Sequence, residues 1–489
     1  MGLSKSKVMS TLAAEPQAAL DYTTSEAGNP FVEGWYAESG SAVYDGVFWV
    51  YATPSCSPEN QTYVDAFSSP DLINWTKHPN VLTIANVAWG TKTLRSPTPV
   101  SYDGKYYMFF SANDIQEGDV EAVGGIGVAV AARPEGPYVD AIGKPLIGEF
   151  YNGAQPTDPE VFIDNGDGKA YIYYGGHAQI NVAILGKNIT SIETFDDGTT
   201  FKEITPNGYA DSPRVIKRNG TYYLMWSEGH RGGLDYRVSY ATADNPLGPF
   251  TRMAQILQQD SAVAKGTGHN SVINVPGTDI SYILYHRQPL SEVEENHRVL
   301  AYDRMYFNTD GTIQPVTILV RDNFADGKML NWTTYGGEWT VENQRLTVNN
   351  TGGGMAMLDT NFSDQVFDAR VATTSGNGHP GLLFRVTELS AETHKYKGYK
   401  AAISPTGVIT LGKADLGTFT DLAQTKMDMV TGEEYHVRVV AIGSEIRVFI
   451  DDMEKPKITF TDGSFTTGAN GVRVFNAAAK FGFVSVAKP

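Results

Sequence analysis

A single cysteine, Cys56, stands among 489 residues, so an internal disulfide is excluded and burial has to supply the stability. Cysteine and histidine together are too sparse for a zinc site of recognisable spacing. No run approaches the roughly 20 apolar residues of a membrane-spanning helix. The first twenty residues carry Lys5 and Lys7 but no continuous apolar stretch, so no signal peptide is legible there. Positive charge is short as well: 38 Lys and Arg face 55 Asp and Glu, a net charge of −17. That balance counts against nucleic acid or an anionic membrane as partner. No glycine-rich phosphate loop follows a strand and opens a helix, and no Gly-x-Ser-x-Gly nucleophile elbow occurs.

Glycine and aromatic residues are plentiful and ordered. Five times a glycine turn leads into a run of aromatic and β-branched residues: Asp45-Gly46 before Val47-Phe48-Trp49, Asp103-Gly104 before Lys105-Tyr106-Tyr107, Asp167-Gly168 before Tyr171-Ile172-Tyr173, Asn219-Gly220 before Thr221-Tyr222-Tyr223, and Gly277 before Ser281-Tyr282-Ile283. The glycines are 58, 64, 52 and 57 residues apart. A period of that length, built from short strands around Asp-Gly and Asn-Gly turns, predicts an all-β chain with a five-bladed β-propeller.

The length suggests two domains. Residues 1–27 read as an N-terminal arm and 28–318 as the propeller. After Leu319 the blade phrase stops, and alternating strands such as Gly381-Leu382-Leu383-Phe384 and Tyr435-His436-Val437-Arg438 follow at regular spacing. Residues 319–489 therefore read as a jelly-roll β-sandwich, either a structural appendage or a carbohydrate-binding module.

In a propeller the first strand of each blade lies nearest the axis. Eight to ten residues before the turn glycines stand Glu38, Ser96, Asp158, Asp211 and His269. Equivalent offsets imply equivalent radial positions, so Glu38, Asp158, Asp211 and His269 are expected to face one pocket. Crowded carboxylates repel, and at least one should hold its proton. A proton donor and a proton acceptor then coexist at one pH, which glycosidic bond cleavage requires. Trp35, Tyr36, Trp89 and Glu228 lie on neighbouring segments as candidate sugar contacts. Arg95, Arg214 and Arg287 either pair with carboxylates or hold a substrate carboxylate.

Several stretches resemble glycoside hydrolase family 43, with the fungal arabinofuranosidases of that family as the nearest likeness: Asn29-Pro30-Phe31-Val32-Glu33-Gly34-Trp35-Tyr36, Ser68-Ser69-Pro70-Asp71-Leu72-Ile73-Asn74-Trp75, Thr157-Asp158-Pro159, Gly268-His269-Asn270 and Tyr285-His286-Arg287. The resemblance implies hydrolysis with inversion, releasing a terminal sugar from plant cell-wall polysaccharide. By position it implies Glu38 as base, Asp211 as acid and Asp158 as the group that tunes the acid. It also implies a sugar contact at Arg287 and His269 near a central calcium or water, with no cofactor required. The chain departs from the pattern in two reciprocal places, with Glu38 where the family has Asp and Asp211 where it has Glu. Ser39-Gly40 lacks the usual proline, and Leu94-Arg95-Ser96-Pro97 replaces a tryptophan-containing turn. Because Arg95 and Arg214 fall where the changes cluster, a hydrolase or lyase of an acidic sugar is a second expectation. A silent carbohydrate-binding protein is a third. The expected setting is an extracellular monomer acting on carbohydrate; seven Asn-x-Ser/Thr sequons are compatible with that compartment.

Overall fold

A computed structural model describes residues 28–119, 122–233, 235–350, 352–390 and 395–489. The expected arm over 1–27 lies outside the described residues. Among them there is no α-helix; the chain is strands, turns and two short 3-10 turns.

Five antiparallel sheets follow one another in chain order. Each opens on a hairpin around one of the repeat glycines. In the first, Tyr44 pairs with Val47 across Asp45-Gly46. Asp45 has φ 50° and Gly46 has φ 79°, the left-handed pair that a two-residue hairpin matching strand twist needs. A Cβ on Gly46 would meet nothing, so glycine is used there for its backbone freedom.

The first blade runs through Tyr36–Tyr44, Val47–Pro54, Tyr63–Ser69 and Thr76–Thr83, and the second through Arg95–Tyr102, Lys105–Ala112, Gly125–Ala131 and Val139–Asp140. The third is built on Glu160–Ile163, Ala170–Tyr174 and Asn181–Leu185, and the fourth on Asp211–Arg218, Thr221–Glu228, Arg237–Ala243 and Thr251–Gln258. The fifth has three strands, Lys265–Asn274, Ser281–Gln288 and Val299–Met305. The chain is thus a five-bladed propeller followed by a β-sandwich.

Innermost strands of successive blades touch through polar atoms, for example the Ser41 and Ser271 hydroxyls at 2.6 Å. The ring is fastened where the described chain begins. The Asn29 amide donates to the Tyr302 carbonyl (3.0 Å) and accepts from the Tyr302 amide (3.1 Å). Phe31 is buried beside it, 4.8 Å from the Trp75 ring centre and 5.0 Å from that of Tyr302.

The C-terminal part folds as two facing sheets. One holds eight strands, with Ala477–Ala487 paired to Leu346–Asn350, Gln365–Gly376 and Val320–Asp322. The other holds seven, from Trp332–Tyr335 at one edge to Thr418–Lys426 at the other. One apolar cluster runs without a break from Val238, Tyr240 and Leu257 of the fourth blade to Phe367 and Val486 of the sandwich. The two parts therefore share a core, fixed at its margin by Lys488 with Asp260 (2.7 Å).

Candidate active site

At the hub the same backbone event recurs in every blade. Glu38, Ser96, Asp158, Ser212 and His269 all adopt left-handed backbone, with φ of 50°, 52°, 50°, 59° and 48°. In four of these blades the pairing register slips at this residue or beside it. A non-glycine residue in this region costs roughly 1–3 kcal/mol, and such strain persists where surrounding contacts over-determine it. Here the bulge turns each side chain off the pleat and toward the axis.

The equivalent residue of the fourth blade is thus Ser212, eight residues before Gly220, and Asp211 precedes it by one. This corrects the offset assigned from the repeat. The five side chains form a hydrogen-bonded arc. The Ser96 hydroxyl lies 3.3 Å from Glu38 Oε2 and 2.7 Å from Asp158 Oδ1. The Ser212 hydroxyl lies 3.0 Å from Asp158 Oδ2, 2.7 Å from His269 Nδ1 and 2.9 Å from Asp211 Oδ1.

Above the arc opens a cavity of about 440 Å³, into which Glu38, Asp158, Asp211, His269 and Arg95 all face. Below it is a void of about 20 Å³, also bounded by Asp158, Ser212 and His269. The arc is therefore the floor of the cavity.

The two outer carboxyls sit in opposite electrostatic settings. Burial alone would push Glu38 up, but Arg298 at 3.6 Å, Arg95, His269 and Arg231 at 3.9 Å outweigh it and hold Glu38 down at about 2. Burial and the charge of Asp158 push Asp211 up to about 6, against the smaller pull of His269 and Ser212. Beneath Glu38, His286 is driven well below its ordinary value by burial and by Arg298, so it stays neutral. Its Nδ1 accepts from the Glu38 amide at 3.5 Å. An acidic and a basic carboxyl thus share one water-accessible hollow, as general acid–base chemistry at a single pH needs.

Six of the residues singled out from the sequence lie off this cavity. Arg214 is turned beneath the arc, 2.9 Å from Glu160 Oε2. Glu228 is buried between Arg237 and Arg252. Tyr36 donates to Asp65 (2.7 Å) and accepts from Lys77 (2.8 Å) inside the first blade. Trp89 is stacked on Phe110 between blades. Arg287 donates to the Asn29 carbonyl (3.0 Å) and so anchors the ring closure. Trp35 is 40% exposed and lies flat on His297, at 4.5 Å and 5°.

The reading of the residues missed Arg298, Arg231, His230, His177 and Tyr236, all of which line the cavity. None belongs to the repeated phrase. His286 was within reach, since neighbours along a strand face opposite ways and Tyr285-His286-Arg287 sends only its middle residue to the hub.

Near His269, where the resemblance implies a calcium or a water, the neighbouring carboxylates are already engaged. Glu160 is taken by Arg214, Asp158 already receives hydrogen bonds from Ser96 and Ser212, and no group of three His, Cys, Asp or Glu among the described residues is placed to hold a metal.

Residues 27–313 match the family model described as Glycosyl hydrolases family 43. Residues 321–486 match one described as a 3-keto-alpha-glucoside-1,2-lyase-like domain. The chain is 41% identical over 336 residues to the Beta-D-galactofuranosidase xynD of Aspergillus niger, covering 66% of this chain and 94% of that protein. It is 27% identical over 379 residues to the Arabinoxylan arabinofuranohydrolase of Bacillus subtilis, covering 65% of this chain and 71% of that one. Among solved structures, a thermostable family-43 glycoside hydrolase is similar at 25% identity with a TM-score of 0.50, covering 60% of this chain and 96% of that chain.

Proposed function

The chain belongs to glycosyl hydrolases family 43 and is a glycosidase of that family; we propose that it releases a terminal furanose, arabinofuranose or its six-carbon relative galactofuranose, from plant cell-wall polysaccharide or derived oligosaccharide, with inversion. Glu38 is the base that takes a proton from water. Asp211 is the acid that protonates the departing glycosidic oxygen. Asp158 keeps Asp211 protonated through its neighbouring charge. The observation that carries this reading is the setting of two carboxyls in one cavity, Glu38 beside Arg298 and Arg231 and Asp211 beside Asp158.

The exchange of Glu and Asp relative to the family is reciprocal, so a longer base side chain faces a shorter acid and the total reach across the sugar is similar. Inverting pairs work across roughly 6.5–9.5 Å, which leaves room for the water. The names of the two relatives given above support a furanose, while other relatives are named for xylose as well. A polymeric cell-wall substrate requires action outside the cell.

The acidic-sugar reading keeps less support. Arg214 is held by Glu160, and Arg95 is engaged by Asp114 at 2.6 Å. The test is reducing-sugar release from arabinan, arabinoxylan and aryl furanosides, with the product anomer followed by proton NMR. Asp211→Asn and Glu38→Gln should each lower kcat by about 10²–10⁴. Full activity in both variants, or a retained anomer, removes the assignment. Binding of these sugars with no product would leave a silent binding protein.

A further inference from the structure

The outer face of the seven-stranded sheet carries a second hollow, remote from the propeller chemistry. In the strand Lys397–Ile403, Tyr399, Ala401 and Ile403 enter the sandwich core, so Lys400 points outward. In Gly468–Val474, Val472 and Val474 are core, so Arg473 shares that outward face. Phe419 and Asp421 reach it from the edge strand Thr418–Lys426, and His379 and Phe475 complete a cavity of about 490 Å³. That lies within the roughly 300–1,000 Å³ of small-ligand sites.

Gly412 leaves the room. A Cβ there would stand 2.6 Å from Lys400 Cε and 3.3 Å from Asp421 Oδ1. The Phe419 ring is 41% exposed and carries both cations near it, Lys400 Nζ at 5.6 Å and the Arg473 guanidinium at 6.0 Å from its centre. The described carboxylate in the lining is Asp421, 3.3 Å from Lys400 and half exposed. Burial and Arg473 push Lys400 below its ordinary value, and burial, Lys400 and Arg473 do the same to His379. In a protein of net charge −17, three basic side chains, Lys400, Arg473 and His379, line this one hollow. A carboxylate entering beside Lys400 and Arg473 meets two cationic donors, and the partly exposed Phe419 ring suits the apolar side of a sugar.

We infer that this hollow binds a uronic-acid residue of a saccharide, its carboxylate held by Lys400 and Arg473 and its ring set against Phe419. The site anchors the enzyme to acidic polysaccharide while the propeller acts elsewhere on the polymer.

The test is calorimetric titration of the full chain carrying Asp211→Asn with trigalacturonate, with free galacturonate and with neutral arabinotriose. Trigalacturonate is expected to bind, more weakly as salt rises, and arabinotriose at least tenfold less tightly. Phe419→Ala and Lys400→Gln should each lower trigalacturonate affinity about tenfold or more, and Lys400→Arg should restore it to within about threefold. Free galacturonate binding equally well would assign the site to the monosaccharide unit itself, and its binding only as part of the trimer would assign it to the chain; both support a uronate site. Failure to bind trigalacturonate, equal affinity for arabinotriose, or unchanged affinity in both variants overturns the inference. So does a loss of binding in Arg231→Ala, which would place the ligand in the propeller cavity. Because binding is read without turnover, the outcome stands apart from that of the glycosidase assignment. Unfolding temperatures of the variants separate lost binding from lost folding.

Discussion

Nη1 of Arg298 stands 3.6 Å from Oε1 of Glu38, and both side chains are buried. Removing the guanidinium takes away the largest of the charges that oppose burial, leaving Arg95, His269 and Arg231 to hold Glu38 down in part. As the proposed base, Glu38 works only when ionised, so activity is expected to fall as pH drops through its pKa. In Arg298→Gln the acid limb of kcat/KM is expected to move up by about 1–3 pH units, the usual effect of one close opposite charge. A pH–rate profile with the limb unmoved would separate Arg298 from the base.

As the proposed acid, Asp211 has to carry its proton, so activity is expected to fall as pH rises through its pKa of about 6. Asp158 raises that value by like charge. Asp158→Asn is expected to shift the alkaline limb downward and to lower the rate most above pH 6. An alkaline limb that stays in place in this variant would show that another group is the acid.

Asn29 closes the propeller by bridging the amide and carbonyl of Tyr302. Asn29→Ala strands both groups in a buried setting, at about 1–3 kcal/mol. Urea unfolding should show a lower midpoint with an unchanged slope. A midpoint equal to wild type would mean that the closure rests on Phe31 and Arg287 instead.

Asp322, buried where the sandwich begins, accepts from Trp332 Nε1 (2.8 Å) and the Phe324 amide (2.7 Å) and is pushed up to about 8 by burial. Its folded pKa exceeds the unfolded one, so the folded chain binds more protons between about pH 4 and 8. The contribution is complete below the unfolded pKa and is lost as pH rises through 8. The unfolding free energy of Asp322→Asn relative to wild type should therefore improve steadily from pH 5 to pH 8. A difference that does not vary with pH would contradict the shift.

The turns were legible because they are local. Asp45-Gly46 and its counterparts need left-handed backbone wherever they occur, and five copies imply five blades. The direction of individual side chains was harder to read. A bulge moved the hub position of the fourth blade from Asp211 to Ser212, and one step along a strand separates His286 at the hub from Arg287 at the ring closure. Arg214 follows Asp211 by three residues, yet the same bulge leaves it below the floor with Glu160. A bulge leaves little trace in composition, because its residues need only tolerate the strain.

Residue order alone therefore established the β architecture, the number of blades and a short roster of carboxyls near one axis, since turn preference and strand alternation act between near neighbours. The charges that surround each carboxyl were assembled through space. Arg298 and Arg231 reach Glu38 from loop segments about 190 residues or more away along the chain. Burial, which no single stretch of chain controls, sets the strength of those charges.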